Sequence, residues 1–308
     1  MTKLSNIRLL TLLFLFLSNP GCSRITVMSV EKLDLPLNGK YFYPRIDESG
    51  TNILLTGEGY RGLSIYYPAK KRLQKLSDAE GAGYSASFLP GSGKVIYTVQ
   101  ETIGNRRYST LMVTHMATGL TDTLQPAVRS LSVPVIRGGE IFYKADGVLK
   151  SAVVEHPGTP GLEKKIAVIE DRKLVLYRNG EPKVLIPYPD ESYIWPSVSP
   201  DGRFILAYAM GKGAFVCDQE GNLLKELGNI EAPVWAADGW VAGMVTRDDG
   251  HRITESAIVL ADVSSGERAI VSPQGIIAMN PSVAPGKGVM VFHTDDGAIY
   301  RLTFRMGR

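Results

Sequence analysis

Pro196-Ser197-Val198-Ser199-Pro200-Asp201-Gly202-Arg203-Phe204-Ile205-Leu206-Ala207 decides the fold, because it is a tight turn running into an apolar strand and the chain repeats it. Pro200 presets the first corner of a type I turn, Asp201 suits the second, and Gly202 accepts the left-handed backbone that a bulged hairpin needs. The run after Arg203 is apolar on both faces, as a strand between neighbouring sheets must be. Two clear copies follow. One is Pro233-Val234-Trp235-Ala236-Ala237-Asp238-Gly239 with Trp240, Val241 and Ala242; the other is Pro281-Ser282-Val283-Ala284-Pro285-Gly286 with Val289 to Phe292. Weaker copies start at Pro44, Ser87 and Val133.

The turn glycines of these copies are 50, 93, 139, 202, 239 and 286, so the intervals are 43, 46, 63, 37 and 47 residues. Four of the five fall near the period of about 40 to 50 residues of a four-stranded propeller blade. Further turn pairs, Asp146-Gly147, Asn179-Gly180, Asp249-Gly250 and Asp296-Gly297, each read as a hairpin. The pattern predicts an all-β, six-bladed β-propeller, with seven blades as the alternative. The 63-residue interval reads as an insertion within the third blade, since halves of that length are short for four strands. Leu162, Ile166, Ile169 and Leu176 partly fit a helical stripe, but the β-branched residues around them and Asn179-Gly180 favour strands. The last unit has room for three strands only. Residues 27–37, with alternating Val30, Leu33, Leu35 and Leu37, have no partner near them and are expected to supply its outer strand, closing the ring and removing two sheet edges.

Composition agrees with one large β domain. Of 308 residues, 44% are hydrophobic and 21% charged, which excludes bulk disorder, and 32 Gly with 18 Pro suit many turns rather than long helices. Lys and Arg number 34 against 31 Asp and Glu, so a nucleic-acid partner has no electrostatic footprint.

Leu9 to Leu17 is an apolar run behind Lys3 and Arg8, too short to span a bilayer and the right length for a secretory signal core. With Ser18, Gly21 and Cys22 behind it, the segment resembles a bacterial lipoprotein signal. That resemblance implies that residues 1–21 are removed, that Cys22 is the lipidated N-terminus, and that residues 22–308 form the propeller. Ser23 is not an acidic residue, so the expected address is the outer membrane, facing the periplasm, with surface exposure as the alternative. The other cysteine, Cys217, lies in the apolar run Ala214-Phe215-Val216 and reads as an inert core thiol.

The phrases at 196–207 and 233–242 resemble the repeat of TolB-type propellers, Pro-x-Trp-Ser-Pro-Asp-Gly, with Val198 in the Trp position of the first and Trp235 in that of the second. The resemblance implies a fold more than an activity, since the module serves scaffolds, peptidase side domains and lyases. Nothing between Cys22 and Tyr41 is long enough to encode the α/β domain that TolB carries before its propeller.

Little chemistry is visible. His115, His156, His251 and His293 have no partners at metal-ligand spacing, Gly91-Ser92-Gly93-Lys94 lacks the rest of a phosphate loop, and Asp248-Asp249-Gly250 and Asp295-Asp296-Gly297 read as hairpin tips. No Gly-x-Ser-x-Gly elbow occurs. No catalytic residue, metal or cofactor is expected. The residues leading into each inner strand ring the mouth of the axial channel, and by this register Tyr43, Arg45, Tyr84, Trp195 and Trp235 are the candidate binding residues, although the tryptophans also suit packing between blades. The expected role is a monomeric, non-enzymatic scaffold that is held to the membrane by its lipid and binds an envelope protein or peptide. The competing expectation is a carbohydrate-active enzyme, a lyase or hydrolase, or a glycan-binding propeller with its site in the channel.

Overall fold

A computed structural model describes residues 25–35, 39–137, 139–153 and 165–307. The expected signal segment, Cys22 and His156 lie outside them. Among the described residues, 26 strands form seven antiparallel sheets.

β1 (Ile25–Lys32) comes first in the chain but belongs to the last sheet. Blade 1 is β2 (Phe42–Ile46), β3 (Ile53–Thr56), β4 (Leu63–Tyr67) and β5 (Arg72–Ser77). Blade 2 is β6 (Ser87–Leu89), β7 (Lys94–Ile103), β8 (Arg106–His115) and β9 (Thr121–Val128). Blade 3 has three strands, β10 (Val135–Arg137), β11 (Glu140–Ala145) and β12 (Val148–Val153). Blade 4 also has three, β13 (Lys165–Glu170), β14 (Lys173–Arg178) and β15 (Glu181–Leu185). Blade 5 is β16 (Tyr193–Val198), β17 (Ile205–Ala209), β18 (Gly213–Cys217) and β19 (Leu223–Gly228). Blade 6 is β20 (Glu231–Ala237), β21 (Trp240–Asp248), β22 (Ile253–Asp262) and β23 (Arg268–Ile270). Blade 7 is β24 (Ala278–Ala284), β25 (Val289–Thr294) and β26 (Ile299–Met306), with β1 antiparallel to β26 from Ile25 opposite Met306 to Lys32 opposite Tyr300.

The blade count is seven, not six. The 63-residue interval holds two sheets rather than an insertion; among the described residues blades 3 and 4 have three strands each, and they fit where two full blades do not. The strands favoured over a helical stripe here are the β13–β14 hairpin, and Asn179 (φ 51°) with Gly180 (φ 90°) makes the next turn, as a type I′ hairpin requires.

Seven apolar seams tie the sheets into a ring, each shared by consecutive blades. The seam between blades 7 and 1 joins Ala284, Val291 and Ile299 to Ile46, Ile53 and Leu55, so the circle has no gap. The thinnest lies between the two three-stranded blades, where the Lys144–Glu170 ion pair (2.5 Å) and a hydrogen bond donated by the Tyr177 hydroxyl to Glu170 (2.8 Å) supplement the packing. First strands of neighbouring sheets touch one another, which places them around the axis.

The repeated phrase builds one face of the disc. The buried Ser199 hydroxyl donates to Asp201 (2.6 Å) and accepts from the Phe204 amide (2.9 Å), Asp201 also accepts the Arg203 amide (3.0 Å), and Gly202 sits at φ 77°. These turns also reach their neighbours. The Asp201 amide donates to Asp238 (3.0 Å), the Gly286 amide to the Ala236 carbonyl (2.8 Å), and the Gly91 amide to Glu48 (3.0 Å).

At the opposite end of the inner strands, the residue before the phrase proline is left-handed in four blades: Tyr43 (φ 48°), Trp195 (φ 52°), Ala232 (φ 45°) and Asn280 (φ 50°). Each sits where the pairing of first and second strands slips register. Proline lacks the amide that a regular ladder needs, and a bulge absorbs the loss while re-aiming the preceding side chain. The four are consecutive around the ring, in blades 5, 6, 7 and 1, and they shape the face described next.

Candidate functional site

The bulge at Tyr43 lays its ring on Tyr60, with centroids 4.1 Å apart and planes 21° from parallel. Tyr60 stands in the β3–β4 connection, where Gly59 (φ 64°) and Tyr60 (φ 62°) turn the backbone sharply upward. Its other edge meets Tyr84 at 5.2 Å, nearly perpendicular. Gly83 makes this approach possible, because a Cβ there would lie 2.2 Å from the Thr56 hydroxyl. The Gly83 amide donates to the Tyr60 carbonyl (3.1 Å), fixing the two segments together.

On its other side Tyr43 meets His293 edge-on at 5.1 Å, and Phe42 meets the same imidazole at 5.4 Å. Tyr84, Tyr60, Tyr43, His293 and Phe42 thus form a continuous run of five rings across blades 2, 1 and 7. His293 is buried. Its Nδ1–H donates to the Thr294 carbonyl (3.0 Å), which leaves Nε2 to accept from the Asn280 amide (3.1 Å). Burial holds its pKa below the ordinary histidine value, against the opposing pull of the Thr294 carbonyl and Asp295, so the ring is neutral at pH 7. Burial likewise pushes the Tyr60 hydroxyl well above the ordinary tyrosine range, with the phenols of Tyr43 and Tyr84 adding to the shift. These groups form an uncharged aromatic platform.

A cavity of about 350 Å³ opens beside the platform, lined by Phe42, Tyr43, Glu58, Arg252, Met279 and Asp295 among others. Its size falls within the range of small-ligand and side-chain pockets. The β21–β22 hairpin contributes Arg252, whose backbone amide is fixed by Asp249 (3.0 Å).

Arg45 lies two residues beyond Tyr43 on β2. It is exposed although protein atoms crowd around it, as befits a side chain on the innermost strand of a blade. Enclosure lowers its pKa from the ordinary arginine value, and the Tyr60 phenol opposes the shift.

Of the residues expected at the mouth, Tyr43, Arg45 and Tyr84 are brought together. Trp195 is elsewhere on the same face, 41% exposed and edge-on to Tyr208 at 5.4 Å, where the Tyr208 hydroxyl donates to Asn229 (2.7 Å). Trp235 does not face the mouth. It is buried in the seam between blades 5 and 6 beside Ile230 and Val241, because it follows Pro233 by two residues, whereas the mouth position is the one before the proline, here Ala232. Tyr60 and His293 are in the site without having been expected there. Both occupy or border second-to-third-strand connections, which carry no phrase. Cys217 is buried and free, its thiol pushed up to about 12 by burial, in keeping with an inert core group. Among the described residues, no three His, Cys, Asp or Glu converge as a metal site would need.

No family model matches the chain, and no curated protein matches it. Solved structures do. The β-propeller domain of Cps50 (Swd1) from Myceliophteria thermophila superposes with a TM-score of 0.53 at 9% identity, covering 91% of this chain and 99% of that one. An oligogalacturonate lyase in complex with manganese superposes with a TM-score of 0.50 at 12% identity, covering 91% and 97%. Agreement over nearly the whole length at such low identity is agreement of architecture, and the chain is an all-β propeller.

Proposed function

We propose that this propeller is a non-catalytic, TolB-like binding module of the bacterial envelope that holds a segment of another protein at the mouth formed by blades 1, 2 and 7. The observation that carries this reading is the five-ring platform beside a cavity of about 350 Å³. Rigid aromatic rings supply contact area at low entropic cost, and such anchors dominate binding energy at protein interfaces. A disc held by seven seams presents them without rearrangement. The signal-like segment ending at Gly21-Cys22 supports a lipid tether and an outer-membrane address facing the periplasm; fatty-acid labelling that survives Cys22→Ser would remove that part of the proposal.

The test of the mouth is peptide binding. Peptides selected on the purified chain from a random display library should bind it, and Tyr43→Ala with Tyr84→Ala should weaken them by about tenfold or more, two aromatic anchors being lost. The melting temperature should move little, since Tyr84 is 53% exposed. Selected peptides indifferent to both substitutions would contradict the reading. A panel of neutral and acidic oligosaccharides run alongside checks the competing glycan reading, which binding or cleavage of a sugar, with no peptide binding, would favour.

A further inference from the structure

Arg45 is the one enclosed guanidinium at the mouth for which the structure provides no counter-ion. Among the described residues it makes no hydrogen bond or ion pair, and the only group acting on it electrostatically is the neutral phenol of Tyr60. Arg137, also partly enclosed but at the opposite end of the channel, shows the contrast. It donates from one Nη to the Pro200 carbonyl (3.4 Å) and stands within the field of Asp201 and Asp238, although its Nε has no hydrogen-bond partner. An exposed guanidinium with no internal partner keeps its donors free, and its fork meets a carboxylate with two parallel hydrogen bonds.

Resting on the reading of the mouth as a peptide site, we propose that the segment it holds is acidic: a carboxylate enters the channel to pair with Arg45 while a neighbouring aromatic or apolar side chain lies on the Tyr43–Tyr60–Tyr84 rings. The rim favours that orientation. Glu58 and Asp295 line the outer cavity and repel a second carboxylate there, so the acidic group goes to Arg45, two residues deeper along β2 than Tyr43. Arg252, on the cavity wall, is the only cation beside those two acids in the lining.

The experiment uses two matched sets of fluorescein-labelled hexapeptides with amidated C-termini. One set places Asp or Glu at each position beside a fixed Phe or Tyr; the other carries Asn or Gln instead. On the unsubstituted protein the acidic set should bind about tenfold tighter, the worth of a charge-assisted pair. Arg45→Gln should abolish that preference, and Arg45→Lys should retain part of it, with the melting temperature held in both because Arg45 has no partner to lose. Equal binding of the two sets, or a preference that survives Arg45→Gln, would overturn the proposal. If Tyr43→Ala and Tyr84→Ala still weakened both sets, the peptide-binding reading would stand without it. If neither set bound and uronic-acid oligomers bound in an Arg45-dependent way, both would fall and the channel would belong to an acidic sugar.

Discussion

A chain that begins at residue 33 is expected to lose most or all of its cooperative folding, while a chain that begins at residue 23 keeps it. β1 contributes a full edge ladder to β26, with Ile25, Val27 and Val30 resting on the seam between blades 6 and 7 and the Ser29 and Thr303 hydroxyls 2.6 Å apart. At about 1 kcal/mol for each backbone hydrogen bond plus the buried apolar area, losing the strand costs roughly 5 kcal/mol or more. That is comparable with the whole stability of an ordinary domain. The loss would also bare the β26 edge at the one sheet built from both ends of the chain. Urea unfolding of the two chains checks this, and a peptide of residues 23–34 supplied in trans should restore part of the lost stability. Equal midpoints would show β1 to be an ornament rather than a strand of blade 7.

Phe215→Ala should be the most damaging single substitution, at about 3–5 kcal/mol. Phe215 is wholly buried where blade 4 meets blade 5, edge-on to Tyr188 (5.2 Å) and Tyr193 (5.8 Å) and beside Leu174, Leu176 and Leu185. The size of the effect depends on blade 4 being a sheet in its own right. Were 165–185 a loose insertion on blade 3, Phe215 would look onto a yielding flank and truncation would cost less than about 1 kcal/mol. Thermal and denaturant unfolding of the variant therefore also tests the seventh sheet.

Why that sheet escaped the sequence is physical. The repeat was recognisable through turn chemistry, and Pro-Asp-Gly phrases mark the first hairpin of a blade. β13 carries no such phrase, and the length rule assumed four strands where blades 3 and 4 have three among the described residues. The strand before the first phrase was readable from its unpaired alternation, Val30 and Leu33 being apolar with no local neighbour to cover them.

The mouth was half readable. Tyr43 and Tyr84 lead into inner strands, where ring geometry puts side chains on one face of the disc, and position alone found them. Trp235 lies in the seam, the packing place that the sequence also allowed it, because alternation along a strand turns a residue two places beyond the proline that way. Tyr60 and His293 lie 233 residues apart in segments without a phrase, and only the meeting of blades 7 and 1 brings both onto Tyr43. Arg45 could be named from its type and place, but its lack of a counter-ion is a property of the assembled channel.

The most direct measurement is hydrogen–deuterium exchange of the purified chain with and without a selected peptide. The account predicts slowed exchange in Phe42–Ile46, Glu58–Tyr60, the approach to β6 around Tyr84, and Ala278–Asn280. The phrase turns on the far face, around Asp201, Asp238 and Gly286, should be unchanged. Protection confined to those turns, or to β15, would contradict it.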